Sequence, residues 1–593
     1  MYVQILSANP RDAAAWFELG NMLGATGHIA DAATAFQNAV AAKPDFAEAY
    51  CNLGNASQIL GELSNAKSAF ERAVQLRPNF AEAWNNLGNI AQDQGDAAGA
   101  LSLHQHAARL RPGFVQAWFS LGGALRTLGQ LDEALAAYDE ALKIQPTFDK
   151  AEVNRANVLR DMGRLQDAIE GLQRAMQLYG RPDTLSNLVY LMPLHPAYDA
   201  KAIWPLLQRW DTEFAQPLAS EIRPHTNVPT PERRLRIGYV SPDFNIHPAG
   251  RFVLPLLENH DHAQFEVFCY SDSRFDDEVT ARTRKAADQW RETRKLSDQQ
   301  LADRIREDQI DILVDLTAHM AGNRLLTFAR KPAPVQLNWL SYPGTTGVEA
   351  IDYRVSDPYL DPPGDQQFYS EETITLPDCY WCYDPLVQAP IEPGELPAGS
   401  AGYITFGSLN NFAKVSDATI DLWARTMRQV VNSRLMLLGP AGSSRLRFEN
   451  QMASHGIAQD RISWLDRMPR DVYLAAYRRF DIVLDSFPCG GHTTTFDALW
   501  MGVPVLTMVG KTAFSRGGLS VLSNLKMPGW IAQDAGDFVE KARTHASDLT
   551  ALAEVRRSLR QRVESSSLMD KRRFARNMET AYRQIWRNWC ERR

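Results

Sequence analysis

The chain has 593 residues, which corresponds to about four domains at roughly 150 residues each, so a single folding unit is not expected. Hydrophobic residues make up 45% of the chain and charged residues 22%, a composition that excludes collagen-like, coiled-coil and largely disordered proteins. The net charge of −7 arises from 63 basic and 70 acidic residues without long runs of one sign, so we expect neither a nucleic-acid partner nor a polybasic membrane anchor.

Cysteine content and hydropathy bear on the compartment. Six cysteines are too few for a disulfide framework, and the first residues lack the charged and apolar regions of a signal peptide. No window approaches the ~20 apolar residues that a membrane-spanning helix needs. We therefore expect a cytoplasmic protein with no membrane partner.

The first 180 residues repeat one pattern with a period of 34 residues. Three columns of residues define it: Pro44, Pro78, Pro112 and Pro146; Leu19-Gly20, Leu53-Gly54, Leu87-Gly88 and Leu121-Gly122; and Gly27, Gly61, Gly95, Gly129 and Gly163. The Leu-Gly glycines allow two helices to approach closely, the single glycines end the first helix in a tight turn, and the prolines close the second helix. The pattern resembles the tetratricopeptide repeat and predicts about five helical hairpins over residues 1–180, stacked into a superhelix with an inner groove.

Asparagine recurs on the first helix of these repeats. We interpret Asn52, Asn55, Asn86 and Asn89 as candidate groove residues, because a carboxamide both donates and accepts hydrogen bonds and can hold the backbone of an acceptor protein or peptide. The alternative is that these side chains cap or bridge neighbouring repeats. Both interpretations fit the pattern.

A different pattern follows the repeats. Residues 181–232 form a helical connector that ends in a Pro-rich linker, and from Leu235 short β-rich segments alternate with helical ones. Such alternation predicts parallel sheets covered by helices on both faces. We expect an N-terminal lobe at 233–395, a C-terminal lobe at 396–570 and a closing helix at 571–593. Ligand sites in such sheets lie beyond the carboxyl ends of the strands.

The most informative segment follows the strand predicted at 481–484. It carries Gly490, Gly491, His492, Thr493 and Thr494 at the start of a helix. A helix N-terminus has unpaired amides and a partial positive charge, and the two hydroxyls and the histidine can add donors to a phosphate or diphosphate. The alternative is that Thr493 only caps the helix.

A second loop of the same lobe follows the strand predicted at 403–406 and includes Asn411 and Lys414. A lysine beside a leaving diphosphate offsets the charge that develops as the glycosidic bond breaks. The alternative for Lys414 is a solvated surface position. The loop 439–442 could cradle phosphate or be an ordinary turn.

Two elements of the first lobe complete the candidate site. His247 follows the strand predicted at 236–240, and it could orient an acceptor or share a proton, or it could simply cap a helix. Gly344 lies in a turn that suits amide donation to phosphate. Cys379 and Cys382 have C-x-x-C spacing without a second ligand pair, which favours packing over zinc or redox chemistry. The chain has no G-x-G-x-x-G fingerprint, Walker loop or D-x-D triplet, so we expect no metal requirement and no bound cofactor.

These motifs, in this order and behind repeats of this type, resemble the protein O-linked N-acetylglucosamine transferases and the related SPINDLY proteins. That family has a GT-B fold, and its members are inverting nucleotide-sugar transferases. The resemblance implies that His247 lies beside the reacting groups and that Lys414, His492, Thr493 and Thr494 hold the diphosphate. It also implies that Asp497 binds the ribose and that a segment containing Met468, Arg470 and Tyr473 forms the base pocket.

Departures from the family pattern leave alternatives open. Ala413 stands where animal members carry tyrosine, and Arg470 and Tyr473 replace a lysine and a histidine. Retention of His492 and Asp497 favours a UDP donor, so we expect transfer of GlcNAc from UDP-GlcNAc to Ser or Thr hydroxyls. The alternatives are O-fucosylation from GDP-fucose, N-glucosylation of asparagine, and a repeat scaffold that senses sugar nucleotides without catalysis. Lys414 favours the enzyme.

Overall fold

The computed structural model describes residues 2–340, 342–387 and 391–592. Residues 388–390, close to the predicted boundary between the two lobes, lie outside the described residues. The chain divides into two compact units, Met1–Leu159 with Pro440–Ser443, and Arg160–Gly439 with Ser444–Arg593. Within the described ranges, no helix combines the length and the apolar character needed to cross a bilayer.

The repeats are helical hairpins, as the 34-residue period predicts. A short helix precedes them; α2 then pairs with α3, α4 with α5, α6 with α7 and α8 with α9, and the helices α10 and α11 follow along the chain. The bounds are α1 Tyr2–Ala8, α2 Ala13–Ala25, α3 Ile29–Ala42, α4 Ala47–Ile59, α5 Leu63–Leu76, α6 Ala81–Asp93, α7 Ala97–Leu110, α8 Val115–Thr127, α9 Leu131–Ile144, α10 Asp149–Asp161 and α11 Leu165–Tyr179.

Both glycine columns have the predicted physical role. A Cβ atom on Gly20 or Gly54 would lie within 2.6 Å of the ring of Phe36 or Phe70, so only glycine lets the two helices of a hairpin pack this closely. Gly27, which ends α2, has a φ of +84°, a left-handed conformation that L side chains rarely adopt. The equivalent glycines of the later repeats share that sign: Gly61, Gly95, Gly129 and Gly163.

The asparagines form hydrogen bonds between successive repeats. Asn52 Nδ2 donates to Asn21 Oδ1 at 2.8 Å, and Asn86 Nδ2 donates to Asn55 Oδ1 at 2.8 Å. All four side chains are half-buried on the first helices of their hairpins. The bridging interpretation is therefore present in the structure, and a role of Asn52, Asn55, Asn86 and Asn89 in peptide binding stays a prediction.

Two helices connect the repeats to the first lobe: α12 (Pro182–Leu191) and α13 (Ala200–Trp210). The buried face of α13 is formed by Ile203, Leu207 and Trp210. Trp204 and Leu206 of the same helix are only partly covered.

The first lobe contains a seven-stranded parallel sheet with the order β3-β2-β1-β4-β5-β6-β7. Helices on both faces cover it, so its inner strands are almost completely buried. The strands are β1 Leu235–Ser241, β2 Phe265–Ser271, β3 Gln289–Glu292, β4 Ile312–Asp315, β5 Val335–Asn338, β6 Tyr353–Ser356 and β7 Glu372–Thr375. The helices are α14 Pro248–Leu257, α15 Glu278–Ala286, α16 Asp298–Glu307 and α17 Leu325–Ala329.

The second lobe contains a six-stranded parallel sheet with the order β10-β9-β8-β11-β12-β13. Its strands are β8 Thr405–Ser408, β9 Arg434–Leu438, β10 Ile462–Leu465, β11 Ile482–Leu484, β12 Val505–Met508 and β13 Ile531–Ala532. Its helices are α18 Ala398–Ala401, α19 Asp417–Gln429, α20 Ser443–Ser454, α21 Arg470–Ala476, α22 Thr493–Trp500, α23 Gly517–Asn524, α24 Ala535–Ser547 and α25 Leu549–Glu564.

The last helix, α26 (Lys571–Glu591), returns to the first lobe. Tyr582 Oη lies 3.1 Å from Tyr239 Oη of β1, and the rings of Phe574 and Trp339 are 5.8 Å apart. One apolar face of α26 thus completes the core of a lobe that begins more than three hundred residues earlier in the chain. The predicted fold class, a helical repeat array followed by two α/β lobes, is confirmed.

Candidate active site

The loop after β11 shapes the predicted phosphate site. Asp485 is buried at the end of the strand, and its carboxylate accepts hydrogen bonds from the Gly491 amide at 2.6 Å and from Thr507 Oγ1 at 2.8 Å. These bonds fold the loop back so that His492 becomes the N-cap of α22. The His492 side chain makes no capping bond, so the amides of Thr493 and Thr494 and the positive end of the helix dipole are left for a ligand.

Lys414 is held against this loop. It ends a short 3₁₀ turn that Asn411 caps, with Asn411 Oδ1 accepting from the Ala413 amide at 3.1 Å. Lys414 Nζ donates to the Gly490 carbonyl at 2.7 Å and is partly buried. The side chain is therefore fixed beside the N-terminus of α22 and is not a freely solvated surface lysine.

Asn410 joins the two loops. Its Nδ2 donates to Asp485 Oδ1 at 3.1 Å and to Ser486 Oγ at 2.9 Å, and its Oδ1 accepts from Thr494 Oγ1. The Thr494 hydroxyl hydrogen is thus directed at Asn410, and its lone pairs remain for a ligand donor. Thr493 is partly buried at the first position of α22, and His492, not Thr493, occupies the cap position.

His492 is an uncharged side chain in this site. Burial and the nearby charge of Lys414 lower its pKa to about 3, so the ring is neutral at physiological pH. Its Nε2 lies 3.2 Å from the Phe514 carbonyl, a contact that requires Nε2 to donate, and its ring packs 5.0 Å from that of Trp381. Nδ1 is then an acceptor. In this structure the one N–H donor of His492 is bonded to the Phe514 carbonyl, and a contact between His492 and a phosphate stays a prediction.

A buried ion pair occupies the predicted ribose and base region. Asp497 is almost fully buried and accepts two hydrogen bonds from Arg470, at 2.5 and 2.7 Å, and one from Tyr383 Oη at 2.5 Å. Burial lowers the pKa of Arg470, but the bonds and charge of Asp497 outweigh that effect and raise it. The guanidinium group also lies 5.4 Å from the centre of the Tyr473 ring. Asp497 thus positions Arg470, and its contact with ribose stays a prediction.

The first lobe adds a second arginine to this cluster. Arg251 of α14 places a guanidinium nitrogen 3.9 Å from the Asp497 carboxylate, and its side chain is mostly buried. The Nε atoms of Arg251 and Arg470 are both buried without a hydrogen-bond partner among the described residues. Two guanidinium groups share one carboxylate here, so the cleft between the lobes carries excess positive charge that an anionic ligand would balance.

His247 caps the same helix. Its Nδ1 accepts from the Ala249 amide at 3.3 Å and lies 3.4 Å from the Asp243 carboxylate. Burial lowers the pKa of His247 and raises that of Asp243. The capping alternative is therefore present in the structure. A neutral ring whose Nδ1 accepts a hydrogen bond carries its proton on Nε2. His247 is therefore better suited to donate a hydrogen bond that orients a ligand than to accept a proton.

The remaining predicted residues have clear positions. The Gly344 carbonyl accepts from Arg354 Nε at 3.1 Å, and its turn is fixed by Glu371, which accepts from the Thr346 amide at 2.7 Å. Met468 is partly buried and packs against the hydrophobic core. Cys379 and Cys382 are buried in that same core as free thiols.

Sequence motifs did not identify several residues of this site. Arg251, Tyr383 and Trp381 come from a helix interior and from the segment after β7, where no glycine-rich turn or polar motif marks them. Arg251 follows His247 by four residues, the spacing that places two side chains on one helical face, and this was the one available signal. Among the described residues, no group of three or more histidine, cysteine or acidic side chains is arranged to hold a metal ion.

This fold and site define a class of protein: a body of two parallel α/β lobes in which a lysine lies beside a helix N-terminus, preceded by tetratricopeptide repeats. The model for glycosyl transferase family 41 matches residues 220–387 and 395–578, and tetratricopeptide repeat models match residues 1–45, 47–80, 69–102 and 115–148. The chain belongs to glycosyl transferase family 41.

Individual relatives agree with this assignment. The chain is 39% identical over 374 residues to the probable UDP-N-acetylglucosamine–peptide N-acetylglucosaminyltransferase SPINDLY of Solanum lycopersicum, covering 62% of this chain and 40% of that protein. It is 31% identical over 367 residues to the Arabidopsis thaliana protein of the same description named SEC, covering 60% and 38%. The chain thus spans about two fifths of the length of these curated relatives.

A solved structure matches most of the chain. A mutant of the Thermobaculum terrenum O-GlcNAc transferase superposes with a TM-score of 0.81 at 34% identity. The match covers 86% of this chain and 98% of that one. Repeats and both lobes are therefore shared with a bacterial relative of similar organisation.

Proposed function

We propose that this chain is a protein glycosyltransferase that transfers GlcNAc from UDP-GlcNAc to Ser or Thr hydroxyls of proteins bound by its repeats. One observation carries the proposal: Lys414 Nζ is held 2.7 Å from the Gly490 carbonyl, directly beside the uncapped N-terminus of α22. A fixed cation and a helix dipole meet where a diphosphate would leave. The names of the SPINDLY and SEC relatives support the same donor and acceptor classes.

The proposed reaction is a single displacement at the anomeric carbon of the sugar. The acceptor oxygen forms a bond to the anomeric carbon from the face opposite the diphosphate, the bond from that carbon to the phosphate oxygen breaks, and the electron pair leaves with UDP. The acceptor hydroxyl passes its proton to solvent water as the new bond forms, and the anomeric configuration inverts. Lys414 and the amides of α22 stabilise the negative charge that develops on the leaving group, which lowers the barrier and not only the dissociation constant of the donor.

The rest of the site has supporting roles in this proposal. Arg470 and Arg251 supply positive charge toward the nucleoside portion, while Asp497 and Tyr383 hold Arg470 in place. His492 offers Nδ1 as an acceptor to a donor group of the sugar. Since positive side chains and amides meet the charge of the leaving group, we propose that no metal ion is required. Six free thiols fit a reducing compartment such as the cytoplasm.

The test is transfer in vitro. The purified chain is incubated with UDP-GlcNAc and a mixture of candidate acceptor proteins, with and without EDTA, and the modified sites are identified by fragmentation mass spectrometry. We expect the mass increment of one N-acetylhexosamine on Ser or Thr, equal in both conditions. A deoxyhexose transferred only from GDP-fucose, or a hexose on asparagine, would replace the proposed donor or acceptor. Activity lost in EDTA and restored by magnesium or manganese would refute the metal-free mechanism.

A further inference from the structure

The connector helix α12 is attached to the turn at 342–347. Ser186 Oγ lies 3.0 Å from His319 Nδ1, and His319 Nε2 lies 2.7 Å from the Thr346 carbonyl. His319 is completely buried, and burial lowers its pKa to about 4, so the ring is neutral. Nε2 then donates to the carbonyl and Nδ1 accepts from Ser186, which is a fully satisfied arrangement. The helix is therefore held in one position relative to the turn that contains Gly344.

The same face of α12 presents an aromatic residue one turn later. Tyr190 follows Ser186 by four residues, so the two side chains lie on one face of the helix. The Tyr190 ring lies 6.4 Å from that of Tyr342 and 6.1 Å from that of Phe514, in an edge-on contact with the latter. Phe514 in turn contacts the His492 ring at 5.6 Å, and its carbonyl accepts from His492 Nε2. Tyr190 thus belongs to the aromatic wall that supports the α22 terminus.

The hydroxyl of Tyr190 is available to a ligand. The residue is partly exposed, and Oη has no hydrogen-bond partner in the part of the chain that the structure describes. Burial raises the pKa of Tyr190, and the charges of Arg160 and Lys414 oppose this only in part, so the phenol remains protonated at neutral pH. A protonated phenol near a fixed lysine is a hydrogen-bond donor at a site of positive potential.

We infer that Tyr190 is a further catalytic residue, whose Oη donates a hydrogen bond to a diphosphate oxygen of the bound nucleotide sugar beside Lys414. The inference rests on the proposed function and adds a donor from outside both α/β lobes. As the bond between the anomeric carbon and the phosphate oxygen breaks, negative charge accumulates on the diphosphate. The hydrogen bond from the Tyr190 hydroxyl to the diphosphate then becomes stronger, because its acceptor carries more charge.

The test is Tyr190→Phe in the full-length chain, which removes one oxygen and keeps the ring packing on Tyr342 and Phe514. We expect kcat/KM for transfer to fall about tenfold to a hundredfold, the range for a hydrogen bond to a charged group. Binding of UDP should weaken by a smaller factor in the same direction, whereas binding of uridine, which has no phosphate, should be unchanged. Tyr198→Phe, on the connector but outside α12, is the matched control and should behave like the wild type.

The outcomes separate this inference from the proposed function. If the wild type transfers the sugar and the Tyr190→Phe variant is equally active, the role of Tyr190 is refuted and the proposed function is not. Equal weakening of uridine and UDP would also overturn it, since a misplaced helix, not a lost phosphate contact, would explain that result. A wild-type chain that binds UDP but transfers no sugar would refute the proposed function. The comparison of UDP binding by the wild type and by Tyr190→Phe would then still test the contact of Tyr190 with the diphosphate. Absence of UDP binding by the wild type would refute both.

Discussion

Lys414 is the single side chain on which the proposed chemistry depends most. The sequence motifs identify it as a candidate cation, and its bond to the Gly490 carbonyl fixes the ammonium group in the free protein. A charge that is already in place needs no reorganisation when the leaving group becomes negative, and this is the condition under which electrostatic stabilisation is most effective.

Replacement of Lys414 by alanine should remove most turnover and leave the fold intact. One charge-assisted contact to a leaving group is commonly worth about 3 kcal/mol, or roughly a hundredfold in rate. The measurement is kcat for UDP-GlcNAc transfer together with thermal unfolding. Lys285→Ala, at an exposed position of α15, serves as the control and should keep full activity. Near-normal turnover of a folded Lys414→Ala protein would exclude Lys414 from the site.

The sequence motifs predict some residues of the site and not others. Gly490 to Thr494 and Lys414 follow strand ends, where the physics of parallel sheets concentrates ligand contacts, and the structure brings them together. The partners of Asp497 could not be predicted in this way. Tyr383 and Arg251 reach it from distant segments, and such three-dimensional proximity has no signature in local spacing.

The third repeat contains a polar pair where the other repeats are apolar. His104 takes the position of Phe36, Phe70 and Tyr138 in neighbouring hairpins, and its Nδ1 lies 2.9 Å from Asn85 Oδ1. Both residues are almost completely buried, and His104 Nε2 has no partner among the described residues. Burial lowers the pKa of His104 to about 4, so the folded helices α6 and α7 contain a neutral histidine.

This pair should make the third repeat sensitive to acid. Between pH 6.5 and 4 the unfolded chain binds a proton at His104 that the folded chain does not, so the free energy of unfolding falls as the pH is lowered, by about 3 kcal/mol in total. The measurement is hydrogen exchange of α6 and α7 amides as a function of pH. Asn85→Cys with His104→Phe, which copies Cys51 and Phe70 of the second repeat, should remove this pH dependence.

The single variant His104→Phe provides the control for that experiment. It leaves Asn85 Oδ1 buried without its donor, which costs about 1–3 kcal/mol at neutral pH, whereas the double variant should be at least as stable as the wild type. An unchanged pH dependence in the double variant would show that other groups cause the acid sensitivity of this repeat.

Helices and strands were predictable to different degrees. The 34-residue period identified the hairpins because its glycines are required by close packing and by positive φ. No apolar pattern in the sequence predicts strands β3 and β7, because they are sheet edges with partly exposed side chains. Strand β6 is buried, but Arg354 interrupts its apolar pattern, and only the structure reveals that Asp361 neutralises this arginine through bonds of 2.9 and 3.0 Å.

At the scale of the whole molecule, the repeats and the two lobes have separable tasks in the proposed function. The reaction of the nucleotide sugar uses only residues of the second compact unit, which contains both α/β lobes. Recognition of whole proteins needs contacts far from the reacting atoms. Such remote contacts lower the barrier by holding the acceptor hydroxyl in place.

Deletion of residues 1–112 should therefore reduce transfer to whole proteins far more than hydrolysis of UDP-GlcNAc. The two activities are measured in the same preparation, because their ratio cancels errors in active concentration. Alanine at Asn52, Asn55, Asn86 and Asn89 should reproduce part of the loss, and it should also destabilise the array, since two of the bonds between repeats disappear. Equal loss of transfer and hydrolysis would indicate that the repeats stabilise the lobes and do not present substrate.

The return of α26 to the first lobe constrains the order of events during synthesis. Phe574, Tyr582 and Trp586 belong to the core around β1 and β5, yet the ribosome makes them after the whole second lobe. Domains usually fold from the N-terminus as they emerge. Here the second lobe can acquire its own core while the first is still incomplete. A nascent chain arrested before α26 would therefore have a folded second lobe and a first lobe whose uncovered apolar core chaperones still recognise.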